Sequence, residues 1–187
     1  MSLEALVGAW GYPVVFVGTV LEGEAVVIAA AFLAHQGLLD PLAVFLVAVA
    51  GSVLGDQFWY HVGRHRGRAV LRRHPEWSDR VERVLERIRR RPVLVTLGFR
   101  FVYGVRVVTP VAIGMSGFEP RRYALLNLAG AALWALVVCI AGYLFGAGVE
   151  AAFGRLHHFE RWAIVLALVG AGLAWIAWRH LREGGRR

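Results

Sequence analysis

Several apolar runs in this chain are longer than the core helices of a soluble domain require, and some of them carry charge. A helix needs about 20 apolar residues to cross a hydrocarbon core of about 30 Å, and the runs at 10–39, 42–60, 93–117, 123–148 and 162–178 are of that order. Backbone polar groups in lipid must be satisfied within the chain itself, so these runs predict an all-α polytopic membrane protein. Residues 99–117, FRFVYGVRVVTPVAIGMSG, hold both Arg100 and Arg106. An Arg at the bilayer centre costs about 2.5–3.5 kcal/mol on insertion scales, so such residues face a cavity, a partner or a polar ligand. Pro110 lacks a backbone donor, and Gly104, Gly114 and Gly117 weaken a helix. A broken or re-entrant segment is therefore expected over 93–117.

Charge and composition narrow the class further. The chain has 187 residues, 58% of them hydrophobic, and a net charge of +8 carried entirely by arginine on the basic side. Between residues 61 and 92, eleven arginines face four carboxylates, so almost the whole excess sits in one loop between apolar runs. Positive-inside topology accounts for this more simply than nucleic-acid binding and makes the loop cytoplasmic, with anionic headgroups as a further contact. Cys139 is the single cysteine and lies in an apolar run, while His61, His65 and His74 have no ligand-type companions, so neither a metal site nor a cofactor is expected. No cleavable leader is expected either, since the first ten residues have no basic region.

In chain order, residues 10–39 are interrupted by Glu22-Gly23-Glu24. A straight helix of that length would reach about 45 Å, so the stretch either tilts or bends back, and two carboxylates flanking a glycine favour a re-entrant break there. Residues 42–60 read as a span ending in Asp56 and the aromatic cluster Phe58-Trp59-Tyr60. The basic loop 61–92 contains an amphipathic helix with Trp77, Val81, Val84, Leu85 and Ile88 at helical spacing, lying in the interface or docked on the bundle. Spans follow at 123–148 and 162–178, then a basic tail at 179–187. If loop and tail are both cytoplasmic, the two spans between them satisfy parity and 93–117 must return to its own side. One membrane domain results, with about three to four transmembrane helices and two broken-helix hairpins in an inverted-repeat layout. The side of the N-terminus stays open, and the glycine pairs Gly51/Gly55 and Gly142/Gly146 permit a homo-oligomer.

Leu21-Glu22-Gly23-Glu24, Gly55-Asp56-Gln57-Phe58-Trp59-Tyr60 with Gly63-Arg64, Phe99-Arg100-Phe101 with Arg106, Thr109-Pro110, Gly114-Met115, and Asn127, Gly130 and Trp134 together resemble the DedA family of SNARE-associated, VTT-domain membrane proteins. The likeness covers roughly residues 12–148. It implies a bacterial inner-membrane protein with two opposed re-entrant hairpins that moves phosphate-bearing lipids, including undecaprenyl phosphate, between leaflets, with links to proton-dependent transport. Carried over position by position, the family's essential acids fall on Glu22 or Glu24 and on Asp56, and its paired arginines on Arg100 and Arg106. Asn127 and Trp134 support the site, and Gly23, Pro110 and Gly114 shape the hairpins. Where many members have a proline between the arginines, this chain has Tyr103-Gly104.

The chemistry stands without the name. A phosphate headgroup accepts charge-assisted hydrogen bonds, for which arginine forks are well matched. Carboxylates in a cavity are suited to exchange protons and to pair with or release those arginines, or else they hold two broken helices together as static ion pairs. The function expected is a lipid-phosphate transporter, proton-coupled and without covalent catalysis, so not an enzyme. The alternative is a proton-coupled small-solute or cation antiporter. A lipid phosphatase is disfavoured, because the chain has no Cys-x5-Arg motif, no lysine and no histidine beside the arginines.

Overall fold

The computed structural model describes residues 3–21, 23–73, 78–102 and 105–153. Glu22, the expected span 162–178 and the tail 179–187 lie outside them. Among the described residues all regular structure is helical: α1 (Leu3–Leu21), α2 (Glu24–His35), α3 (Pro41–Arg73), α4 (Ser78–Arg90), α5 (Pro92–Gly98), a 3-10 turn (Phe99–Phe101), α6 (Val108–Met115) and α7 (Pro120–Phe153). The order repeats a motif, two short helices followed by one long one, with α4 between the copies. Backbone contacts divide the chain into two compact units, residues 1–47 with 138–187, and residues 48–137.

In the first unit the break expected near Gly23 is present, with φ at 86°, a conformation that only glycine adopts without strain. The Gly23 amide closes back on the Gly18 carbonyl at 2.9 Å, and α2 starts at the next residue. α1 and α2 then run antiparallel. A Cβ at Gly18 would press into Val26, Val15 packs with Ala30 and Ala34, and Gly11 lies against Leu39. α2 ends at a glycine with φ of 77°, Gly37, whose amide bonds Ala34 while that of Leu38 reaches back to Leu33, the Schellman pattern. Asp40 caps the next helix by accepting the Ala43 amide at 2.7 Å, and Pro41 occupies the first helical position, where no donor is needed. On α7, Gly142 and Gly146 lack the side chains that would collide with Ile28, Ala31 and His35, so α7 lies close along α2.

The second unit is built on antiparallel stretches of α3 and α7. Tyr60 stacks on Tyr123 at 4.2 Å, and Asn127 donates to the Val53 carbonyl at 3.2 Å. α6 crosses α3 through glycines, since a Cβ at Gly63 would overlap the Val111 carbonyl and one at Gly114 the Tyr60 carbonyl. Pro110 falls in the first turn of α6, where helical amides have no partner, so it begins a helix rather than breaking one. Within 93–117, α5 ends at Gly98, the 3-10 turn ends at Phe101 and α6 starts at Val108 after a turn at residues 105–107. The amphipathic helix is α4, docked on protein: Leu85 and Ile88 join Tyr60, Ile113 and Tyr123 in the core, with Val81 alongside. Val84, which the periodicity placed on the same face, points outward and is 46% exposed.

Pro41–Ala69 and Pro120–Ala151 are each long and apolar enough to cross a membrane. Side-chain placement agrees with that reading. Leu42, Leu46, Leu54 and Phe58 of α3 and Leu125, Leu128, Leu133 and Leu136 of α7 face outward, while Ser52, Asp56, Thr96, Arg100 and Asn127 are buried. An apolar exterior around polar residues suits lipid as the surrounding solvent.

Candidate functional site

The buried polar residues of the second unit form one cluster. α3 presents Ser52 and Asp56 four residues apart, hence on one face, and α7 presents Tyr123, Asn127, Gly130 and Trp134 at the spacing of a helical stripe. The 3-10 turn delivers Arg100 between them. Its Nη2 donates to both Asp56 Oδ2 and Asn127 Oδ1, and its Nε lies 3.4 Å from Ser52 Oγ. The side chain of Arg100 is fully buried and that of Asp56 is 4% exposed. Asn127 keeps its oxygen toward the guanidinium because its own amide donates to Val53 on α3. The Tyr123 hydroxyl, 3.4 Å from the Asp56 backbone carbonyl, completes the wall.

Gly130 is the floor of this site. A Cβ there would stand 2.9 Å from Arg100 Nη1, so no larger residue fits without displacing the guanidinium. That same Nη1 is buried and lacks a hydrogen-bond acceptor among the described residues. An unsatisfied guanidinium donor in an apolar setting is costly.

Arg106 enters from the segment preceding α6 and is half-buried. Its Nη2 donates to Ser52 Oγ at 3.1 Å, and its guanidinium lies over the Trp134 ring, 4.8 Å from the centroid. Ser52 thus touches both arginines. The cluster contains two guanidiniums and, among the described residues of this unit, one buried carboxylate. Asp56 compensates Arg100 directly, and the two guanidiniums offer forks matched to an oxyanion.

The fold therefore gathers six residues singled out in the sequence: Asp56, Arg100, Arg106, Asn127, Gly130 and Trp134. Glu24 belongs to the first turn of α2 in the other unit, and Glu22 lies outside the described residues. Gly23 forms the break between α1 and α2, Pro110 opens α6, and Gly114 packs α6 on α3. Ser52 and Tyr123 were not anticipated. Ser52 had a legible signal, because it precedes Asp56 by four positions and shares its helical face. Tyr123 had none.

Comparison with known proteins shows the family of the chain. Residues 6–144 match the family model of the VTT domain. The chain is 37% identical over 182 residues to the inner membrane protein YohD of Escherichia coli, covering 94% of this chain and 93% of that protein. It is 30% identical over 183 residues to the membrane protein slr0232 of Synechocystis, covering 90% and 83%. It is 28% identical over 166 residues to Protein DedA of Escherichia coli, covering 78% and 73%. No solved structure matches.

Proposed function

The chain belongs to the VTT-domain family, the DedA family of bacterial membrane proteins, and from that premise we propose that it moves phosphate-bearing lipids, undecaprenyl phosphate or a phospholipid, between the leaflets of the inner membrane, without covalent chemistry and coupled to protons. The observation that carries this reading is the division of labour between the two arginines. Arg100 is neutralised by Asp56 and held by Asn127 and Ser52, so it acts as a fixed structural wall. Arg106 is half-buried on the aromatic face of Trp134, with a planar fork able to bond two oxygens of a phosphate. A phosphate headgroup suits an arginine fork, while its hydrocarbon tail stays against the outward-facing leucines of α3 and α7.

In this reading α1–α2 and α5–α6 are two re-entrant hairpins, each preceding a long span, and the motif repeats in inverted orientation. Irregular backbone at membrane depth is tolerated where it lines a polar cavity, which fits the turn at residues 105–107 that carries Arg106.

The test is leaflet accessibility of undecaprenyl phosphate, and separately of labelled phospholipids, in proteoliposomes holding this protein or its Arg106→Ala form. Movement in the wild type and background rates in a folded Arg106→Ala protein are expected. Equal rates in both would overturn the reading. Dissipation of a pH gradient on adding a small solute, with no lipid movement, would identify an antiporter instead.

A further inference from the structure

The basic helix α4 carries arginines of two kinds. Glu82 and Glu86 hold Arg89 and Arg90, at 3.0 and 2.6 Å, and Arg89 Nε also donates to the Ser116 carbonyl just past α6, at 3.4 Å. Arg83, Arg87 and Arg91 are exposed and form no ion pair with a described residue. They recur every four residues and so make one stripe, and the Arg91 amide bonds the Arg87 carbonyl, which keeps the last of them on the helical path. Val84 lies on this stripe, three residues before Arg87 and seven before Arg91, and stays outside the core.

The depth of the stripe follows from what α4 docks on. Leu85 and Ile88 share one core cluster with Tyr60 of α3 and Tyr123 of α7. At that level the surface of α3 changes from apolar to basic: Phe58 faces outward, and Arg64, about 9 Å farther along the helix, is exposed. On α7 the same change runs from exposed Arg121 and Arg122 to outward-facing Leu125. α4 therefore sits where two spans pass from lipid into the polar layer. Beyond Arg91 the chain turns apolar at once, since Val93 and Leu94 of α5 are exposed. Arginines with apolar residues beside them and after them, at that depth, form an interfacial surface.

We propose that the α4 stripe of Arg83, Arg87 and Arg91 binds the phosphates of anionic phospholipids in the headgroup layer, as a lipid-docking surface separate from the buried cluster of Arg100 and Arg106. It goes beyond the transport reading above and stands whatever the cargo. Guanidinium forks suit phosphate oxygens, and the apolar stems of arginine rest with Val84 at the acyl boundary while the charges reach the headgroups. The selection is for net negative lipid, because a zwitterionic headgroup carries its own cation beside the phosphate. Occupancy has a structural consequence. Leu85 and Ile88 pack with Ile113 of α6, and Arg89 holds the residue that follows α6, so lipid bound at the stripe fixes the depth of the segment from α5 to α6.

The lipid composition beside the stripe tests this directly. In a Cys139→Ser background, the full chain with a bimane on Val84→Cys is placed in phosphatidylcholine nanodiscs holding a small, equal share of spin-labelled phosphatidylglycerol or spin-labelled phosphatidylcholine. The ratio of quenching by the two lipids is expected to exceed one at low salt and to fall toward one at high salt. Combining Arg83→Gln, Arg87→Gln and Arg91→Gln is expected to bring it to about one, each arginine contributing up to about fivefold in relative affinity. The corresponding three changes to Lys should keep it above one, since the charge remains. A ratio of one in the starting protein, or an excess that survives the glutamine changes, overturns the proposal. So does a ratio of one accompanied by binding of a labelled RNA oligomer that the glutamine changes abolish, which would make the stripe a nucleic-acid surface. Thermal unfolding gives a second readout that needs no label. Added phosphatidylglycerol should raise the midpoint of the wild type by more than that of the glutamine variant, whose exposed substitutions leave the basal midpoint nearly unchanged, and equal shifts overturn the proposal.

Discussion

Arg100 and Arg106 stand six positions apart in one apolar stretch, yet burial gives them opposite energetics. Arg100 is sealed with Asp56, so removing either partner leaves a buried, uncompensated charge. Arg100→Ala or Asp56→Ala is expected to lower stability by about 3–5 kcal/mol, seen as thermal unfolding in detergent, while an apolar pair such as Arg100→Met with Asp56→Leu recovers most of it. Arg106 is half-buried with contacts to Ser52 and Trp134, so Arg106→Ala is expected to cost about 1 kcal/mol in the same assay while removing lipid movement. That split between stability and transport distinguishes a wall from a ligand contact. The charges themselves were legible in the sequence, since an arginine in an apolar run is conspicuous. The partners of Arg100 were not, because it finds Asp56 at 44 positions' separation and Asn127 at 27.

At the scale of the element, α4 shows how a local pattern leaves its setting open. Its apolar stripe was readable from periodicity, but an interfacial helix and a docked one have the same stripe. Docking follows from the shape of the partner surface, where Tyr60, Ile113 and Tyr123 provide a core for Leu85 and Ile88. Leu85→Ala and Ile88→Ala are each expected to destabilise by about 2–5 kcal/mol, with faster hydrogen exchange along α4. Val84→Ala, on the exposed side, should stay within about 0.5 kcal/mol. The α3–α6 crossing is stricter still. Gly114→Ala puts a methyl group into the Tyr60 carbonyl and is expected to cost about 1–3 kcal/mol, measured by the same unfolding assay.

For the whole molecule, sidedness is the property that the long helices decide. α3, of 33 residues, and α7, of 34, would each be about 50 Å long if straight, more than a hydrocarbon core of about 30 Å, so their ends protrude. Because α3 and α7 are antiparallel where Tyr60 meets Tyr123, the arginines after Tyr60 and those at the start of α7 share one end. By the positive-inside rule that end is expected to be cytoplasmic. In a Cys139→Ser background, Arg66→Cys and Arg121→Cys are expected to react with an impermeant thiol reagent only from the cytoplasmic side, and Leu42→Cys, at the other end of α3, only from outside. Labelling of Arg66→Cys and Arg121→Cys from opposite sides would contradict the antiparallel pairing across the membrane. Hydropathy, run length and the break at Gly23 are properties of neighbouring residues, so the sequence by itself determined a helical membrane protein, its broken first segment and the charged residues that lipid would not tolerate alone. The tertiary structure decided the pairing: Arg100 with Asp56, Arg106 on Trp134, and His35 with Glu150 across 115 positions. Those partners are chosen by how closely glycine-lined helices approach, which is a property of packed surfaces rather than of any stretch of chain.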